Sequence, residues 1–410
     1  MAGLWIAGLL LLALGFWLLT GRMALAEAPA ADPQREVLVL LKMPPEHYSA
    51  QSAYGGSYGG GEARGARRRF AEGRARANGL ILVDDWPMPM AGLDCYIMAV
   101  PDGRSTQAVA DQLSHDPGIA WAEPMNTYTA QGAATGAAIN DPLYRVQPDA
   151  AEWRLDDLHR IATGRDIRVA IIDSAVDRNH PDLAGQVVVS ENFVPGAFPA
   201  AESHGTGVAG IIAAVAGNGK GIVGVAPHAR LMALRACRQG ETATTCDSLS
   251  LAKAIYYAVE HDADIINMSL SGPDDPLLGN LLDLARQHGA TIVAAFDPAA
   301  PGGGFPASHR GVVAVIDEGA EPAGAGVFGA PGRDIPTTQP DGGWFFVNGS
   351  SFAAAHVSGL FALLREKTHK PQSGAALVTV AGSDAVDPQA TLRRVTGAGA
   401  LAAAASPARP

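Results

Sequence analysis

The sequence predicts an α/β fold, a parallel sheet with helices on both faces, preceded by a small α+β unit. Three observations predict it. Between about 168 and 316, five strand-length apolar runs alternate with helical patterns, as expected for strands buried on both faces. Ahead of them, residues 36 to 128 carry short strands and two helices in the order βαββαβ. Between these parts lies Ala130-Gln131-Gly132-Ala133-Ala134-Thr135-Gly136-Ala137-Ala138, with no bulky side chain and no apolar period. Such a stretch marks a boundary.

Residues 4–20 form one apolar run, short for a bilayer span, and Ala24-Leu25-Ala26 follows as a small-x-small pattern. This predicts a secretory signal peptide over 1–26, and hence a secreted or periplasmic protein. No Lys or Arg precedes the run and Arg22 follows it, so membrane anchoring by residues 4–20 stays open as the alternative.

The next unit takes 27–129. Glu36 to Lys42 is a strand, and Glu62 to Ala77 is an arginine-rich helix stopped by Asn78-Gly79. Leu80 to Asp84 and Leu93 to Val100 are strands, Ser105 to His115 is a helix capped by Ser105, and Ile119 to Glu123 is the last strand. That order is a split βαβ, ferredoxin-like unit. The arginines from Arg64 to Arg76 read as a solvated helix face more readily than as a cutting site for another protease.

Residues 130–139 read as a linker and processing region, and 140–401 as the main domain. Its strands are Arg168 to Ile172, Arg230 to Arg235, Asp264 to Met268, Thr291 to Ala295 and Val312 to Ile316. Its helices fall near 149–163, 204–216, 249–262, 277–288 and 351–367. The last residues, 402–410, read as a disordered tail.

Composition limits the partners. Apolar residues make up 48% and charged residues 17%, so a large core is available. The formal charge of −11 argues against a nucleic acid, which needs a concentrated basic face. Cys237 and Cys246 bracket a polar segment and suit a disulfide in an oxidising compartment. Cys95, in an apolar strand, reads as a buried free thiol. There is no CxxC pair, HExxH or EF-hand loop, so no catalytic metal is inferred.

In parallel sheets reactive groups collect at the carboxyl ends of the strands. Val169-Ala170-Ile171-Ile172-Asp173-Ser174 places a carboxylate there. Ser203-His204-Gly205-Thr206-Gly207-Val208-Ala209-Gly210 opens a small-residue helix on a histidine. In Asn348-Gly349-Ser350-Ser351-Phe352-Ala353, Gly349 allows a tight turn, Ser350 can cap a helix and Ser351 falls in its first turn. There the backbone N–H groups and the helix dipole favour negative charge. Taken singly, Asp173 reads as a strand-end cap, His204 as a structural histidine and Ser351 as part of a capped core helix. Together they supply a nucleophile, a base and a carboxylate that holds the base's tautomer.

On these motifs the chain resembles the subtilisin-like serine proteases, the subtilases or peptidase S8 family. Ile171-Ile172-Asp173-Ser174 with His180-Pro181-Asp182-Leu183 is similar to the family's aspartate motif, His204 to Gly210 to its histidine motif, and Gly349 to Ala353 to its serine motif. The order Asp, His, Ser is that of subtilisin. Asn267-Met268-Ser269-Leu270-Ser271-Gly272, Phe305-Pro306-Ala307-Ser308 and Ala330-Pro331-Gly332 extend the likeness over about 140–370, and 36–128 bears a weaker one to the inhibitory propeptide.

The resemblance implies a secreted, self-cleaving serine endopeptidase acting on protein or peptide substrates, with its own propeptide as inhibitor. Ser351 is the implied nucleophile, His204 the base and Asp173 the orienting carboxylate. Ser269, Leu270, Ser271 and Gly272 are the implied strand that pairs with substrate. No cofactor is implied for catalysis; structural calcium is allowed by the resemblance but not placed.

Two departures bear on activity. Where the family has glycine then asparagine, this chain has Phe296-Asp297. A carboxylate cannot donate to an oxyanion, which predicts a slow enzyme, or one that speeds up on acidification until Asp297 carries a proton. Phe296 predicts a pocket for small residues before the cut, unless its ring turns into the core. The alternatives are therefore a weakened subtilase kept as a binding or regulatory scaffold, and a membrane-anchored processing protease.

Overall fold

The computed structural model describes residues 35–42, 59–130, 133–134, 143–197, 201–241, 243–318, 320 and 324–396. The expected signal peptide, the apolar run 4–20 and the tail 402–410 lie outside them.

The first elements are β1 (Glu36–Lys42), α1 (Gly59–Ala77), β2 (Ile81–Met88), β3 (Leu93–Ala99), α2 (Thr106–Ser114) and β4 (Trp121–Pro124). The strands form one antiparallel sheet in the order β2-β3-β1-β4. β1 is buried on both faces. Val37, Val39 and Leu41 pack with Ala71, Ala75, Val109 and Leu113 of the two helices, while Leu38 and Leu40 face the other way into a second core. Ser105 stands at the N-cap of α2 but makes no side-chain cap bond, contrary to expectation.

Then come β5 (Thr127–Ala130) and β6 (Ala133–Ala134). Ala130, Ala133 and Ala134, expected in an unstructured linker, are therefore strand. The helix expected over 149–163 is two short helices, α3 (Pro148–Glu152) and α4 (Leu155–His159), because Arg154 takes the left-handed conformation with φ 51°.

The main domain continues with β7 (Arg168–Asp173), β8 (Val187–Asn192), α5 (Ser203–Ala213), β9 (Arg230–Arg235), β10 (Cys237–Gln239), β11 (Thr244–Asp247) and α6 (Ser248–Glu260). Next are β12 (Ile265–Met268), β13 (Leu270–Ser271), α7 (Pro276–Gln287), β14 (Thr291–Ala295), β15 (Val313–Asp317) and β16 (Val327–Ala330). The last are β17 (Ile335–Gln339), β18 (Gly343–Asn348), α8 (Ser350–Thr368) and α9 (Pro388–Thr396). A seven-stranded parallel sheet runs β16-β15-β14-β12-β7-β9-β8. The connection from β9 to β12 passes over β7, and such reversals open a crevice at the carboxyl ends of the strands.

Helices α5 and α8 share a core on one face of the sheet, through residues such as Val208, Ile212, Phe352, Val357 and Phe361. On the other face, α6 and α7 contribute Leu251, Ile255, Leu277 and Leu281 to a core that also holds Leu38, Leu40, Met88, Cys95 and Ile97. The N-terminal sheet therefore sits on α6 and α7. Its polar contacts meet two helix starts. Asp275 caps α7 by accepting from Leu278 N at 3.0 Å and also accepts from Ser248 Oγ at 2.6 Å. Glu123 accepts from Leu277 N at 3.3 Å and from Trp121 Nε1 at 3.0 Å. Met90 N donates to Tyr256 Oη at 3.1 Å.

Among the described residues no helix is long and apolar enough to cross a membrane. Cys237 and Cys246 form a disulfide across the β10–β11 hairpin. Cys95 is free and buried, and burial pushes its thiol pKa up.

Candidate active site

Asp173 ends β7 and is 1% exposed. Its Oδ1 and Oδ2 lie 2.8 and 3.0 Å from Nδ1 of His204, and Oδ1 also accepts from Ser174 N at 2.6 Å. A carboxylate so placed favours the tautomer with the proton on Nδ1 and Nε2 as an acceptor. His204 is the second residue of α5. Gly205 lets that helix approach: a Cβ there would stand 2.4 Å from the carbonyl oxygen of Ser174.

Helix α8 starts beside this pair. Its N-cap is Gly349, at φ 130°, and Ser350 is the first helical residue rather than the cap. Ser351 is fully buried. The ring of Phe352, the next residue, lies 5.4 Å from that of His204. Ser351 Oγ donates to Ser269 O at 3.0 Å, and Ser269 Oγ donates to Ser351 O at 2.9 Å. Asn267 Nδ2 holds Ser269 Oγ at 2.9 Å, and Ser358 Oγ holds Asn267 Oδ1 at 2.8 Å. The serine is thus fixed to the strand that follows β12.

The expected substrate strand divides into three roles. Leu270 and Ser271 pair with Ala130 and Thr129 of β5, Ser269 is tied to Ser351, and Gly272 pairs with Phe305. On the far side of β5 lies β11, with Thr245 opposite Thr129. β6 joins β18, with Ala134 opposite Val347 and Ala133 opposite Asn348. The chain therefore enters as a strand between β11 and β13 and leaves beside the residues that precede Ser351.

Phe296 and Asp297 follow β14. The phenyl ring packs where a Cβ on Gly303 would stand, 2.1 Å from its Cδ2, and also against the core under α7. Ser271 Oγ similarly stands 2.0 Å from where a Cβ of Gly304 would be. Asp297 Oδ1 accepts from Ala299 N at 2.9 Å. His356 is buried, with Nδ1 on Phe352 O at 2.8 Å and Nε2 3.5 Å from Asp149. It packs away from Ser351 on the helix, as its spacing predicts. Among the described residues no three His, Cys, Asp or Glu side chains gather as a metal would require.

The subtilase family model matches residues 164–315, which include Asp173 and His204. The thermophilic serine proteinase of Bacillus sp. (strain AK1) is 34% identical over 273 residues, covering 63% of this chain and 66% of that protein. The major intracellular serine protease of Bacillus subtilis (strain 168) is 36% identical over 223 residues, covering 49% and 69% respectively. Subtilisin of Bacillus pumilus is 34% identical over 222 residues, covering 50% and 78%. The chain belongs to the subtilase family. Among solved structures, fervidolysin from Fervidobacterium pennivorans, described as a keratinolytic enzyme related to subtilisin, matches with a TM-score of 0.66 at 23% identity, covering 87% of this chain and 60% of that one. That likeness is one of fold. This subtilase thus spans just under two thirds of the AK1 proteinase and three fifths of fervidolysin.

Three residues at the site of this subtilase carry no motif: Glu202, Arg235 and Gln239. Glu202 and Arg235 form a part-buried ion pair at 2.8 Å, and Gln239 Oε1 accepts from Ser203 N at 2.6 Å. The available signal was a charged residue ending the apolar strand next to that of Asp173.

Proposed function

We propose that this subtilase is a serine endopeptidase made as a zymogen that cuts its own chain. The observation that carries this reading is the pairing of residues 127–130 and 133–134. β5 and β6 pair on either side of Ser351 as a substrate would, so the first bond cut lies between Ala130 and Ala133. In this mechanism Ser351 Oγ attacks the peptide carbonyl, His204 Nε2 takes its proton and returns it to the leaving amine, and Asp173 stabilises the imidazolium. The Ser351 N–H, in the first turn of α8, donates to the oxyanion. Protein or peptide substrates then replace β5 between β11 and β13. We read Phe296, seated on Gly303, as filling the pocket for the residue before the cut, which favours small residues there. Residues 1–26 direct export, consistent with the disulfide.

The N-terminal unit acts as the inhibitor, and its hold depends on pH through Glu123. Burial first, then the neighbouring Asp275 carboxylate, push the Glu123 pKa from 4.5 up to about 9, against the Trp121 and Leu277 donors. Docking therefore takes up a proton. Its contribution is full below the ordinary value of 4.5 and is lost as pH rises through about 9, with affinity falling by up to about tenfold per pH unit in that window. The dissociation constant of the cleaved unit, measured against pH, is expected to rise accordingly, and Glu123→Gln to flatten the curve. A pH-independent constant in the parent would count against this.

Labelling with a fluorophosphonate after maturation tests the reading. The expected result is one adduct, on Ser351. A folded, cleaved chain that takes no label would favour the scaffold instead.

A further inference from the structure

Glu202 stands two residues before His204, at the N-cap of α5, and makes no cap bond of its own. Its carboxylate is fully engaged elsewhere. Oε2 accepts from Ala175 N at 2.6 Å and Arg235 Nε at 2.8 Å, while Oε1 accepts from Arg235 Nη2 at 2.9 Å and Gln239 N at 3.1 Å. The Glu202 and Arg235 side chains are 10% and 5% exposed. Ala175 follows Asp173 by two residues, and Arg235 lies directly opposite Asp173 in the β7–β9 register. Glu202 N also donates to Ala175 O at 2.8 Å. Gln239 supplies the missing cap, its Oε1 accepting from Ser203 N at 2.6 Å and His204 N at 3.3 Å.

Asp173 and His204 belong to separate elements, and this carboxylate joins the end of one to the start of the other. We propose that the Glu202–Arg235 pair and Gln239 are positioning residues that hold the His204 imidazole against Asp173. A buried ion pair adds little stability over an apolar pair of similar size, so its use here is geometric. Burial alone would raise the Glu202 pKa, but the Arg235, Ala175 and Gln239 donors outweigh it and hold the group below its ordinary value. It stays charged wherever His204 works. The charged groups joined to His204 by these contacts are Asp173, Glu202 and Arg235, with Arg238 and Glu241 on the β10 hairpin beyond them; Arg168 and Arg230 stand at the opposite ends of β7 and β9, and α8 carries His356 five residues beyond Ser351 and Arg365, Glu366 and Lys367 in its last turns.

The inference rests on the endopeptidase reading and is tested on the full chain by the first-order rate of self-cleavage against pH. That rate is intramolecular, so binding of an added substrate does not enter. Glu202→Gln and Arg235→Gln are each expected to slow it by about ten- to a hundredfold. The acidic limb of the profile should move to lower pH in the first, where Arg235 is left uncompensated near the imidazolium, and to higher pH in the second. A purely structural role would move neither limb. Gln239→Ala, at an exposed residue, is expected to slow the reaction severalfold with the far-UV circular dichroism unchanged. Parent-like rates in the charge variants, or slowing without opposite limb shifts, would overturn the proposal. If both charge variants fail to fold, a parent-like rate in Gln239→Ala overturns it. A parent chain that never cleaves contradicts the endopeptidase reading itself and removes the inference with it.

Discussion

Ser351→Ala is expected to lower kcat on a peptide substrate by about a millionfold, the scale seen on removing this serine in subtilisin. The reason is local. Ser351 Oγ is the hydroxyl held on Ser269 O at 3.0 Å, at the start of a helix whose first N–H groups favour negative charge. The residual rate then comes from binding and the oxyanion donors alone. The variant should fold, because the substitution removes one small buried group and leaves the bond from Ser269 Oγ to Ser351 O in place. Activity within about tenfold of the parent would move the nucleophile to another residue.

Asp297→Asn is expected to raise kcat at neutral pH by about a hundred- to a thousandfold, the value of one oxyanion donor. The present side chain accepts from Ala299 N at 2.9 Å, and asparagine can keep that bond through Oδ1 while its amide adds two donors. The parent is then the slower of the two enzymes at neutral pH. Unchanged or lower turnover in the variant would mean that the oxyanion is held by the Ser351 N–H without help from this loop.

The inner strands of the sheet were legible because they are buried on both faces, which leaves a nearly continuous apolar run. β7, for example, runs from an exposed Arg168 through five buried residues. The edge strand β8 was not, because its residues are partly exposed on both sides. β5 and β6 resemble linker in sequence for a related reason. Their residues pair through the backbone with β11, β13 and β18, and a strand held from both sides needs no pattern of its own side chains. Arg154 broke an expected helix by taking a left-handed conformation that arginine seldom adopts. At the site, the position of Asp173 at a strand end and of His204 and Ser351 at helix starts follows from local patterns. The Glu202–Arg235 pair does not, since its partners sit 33 residues apart and meet only where the start of α5 packs beside the end of β9.

β5 and β6 flank Ser351, and the most direct test of self-cleavage between them is the intact mass of residues 27–410, followed over time beside the Ser351→Ala variant. The expected result is that the parent alone loses an N-terminal fragment ending between Ala130 and Ala133. A parent that stays whole, a cut elsewhere, or equal cutting of both chains would contradict it.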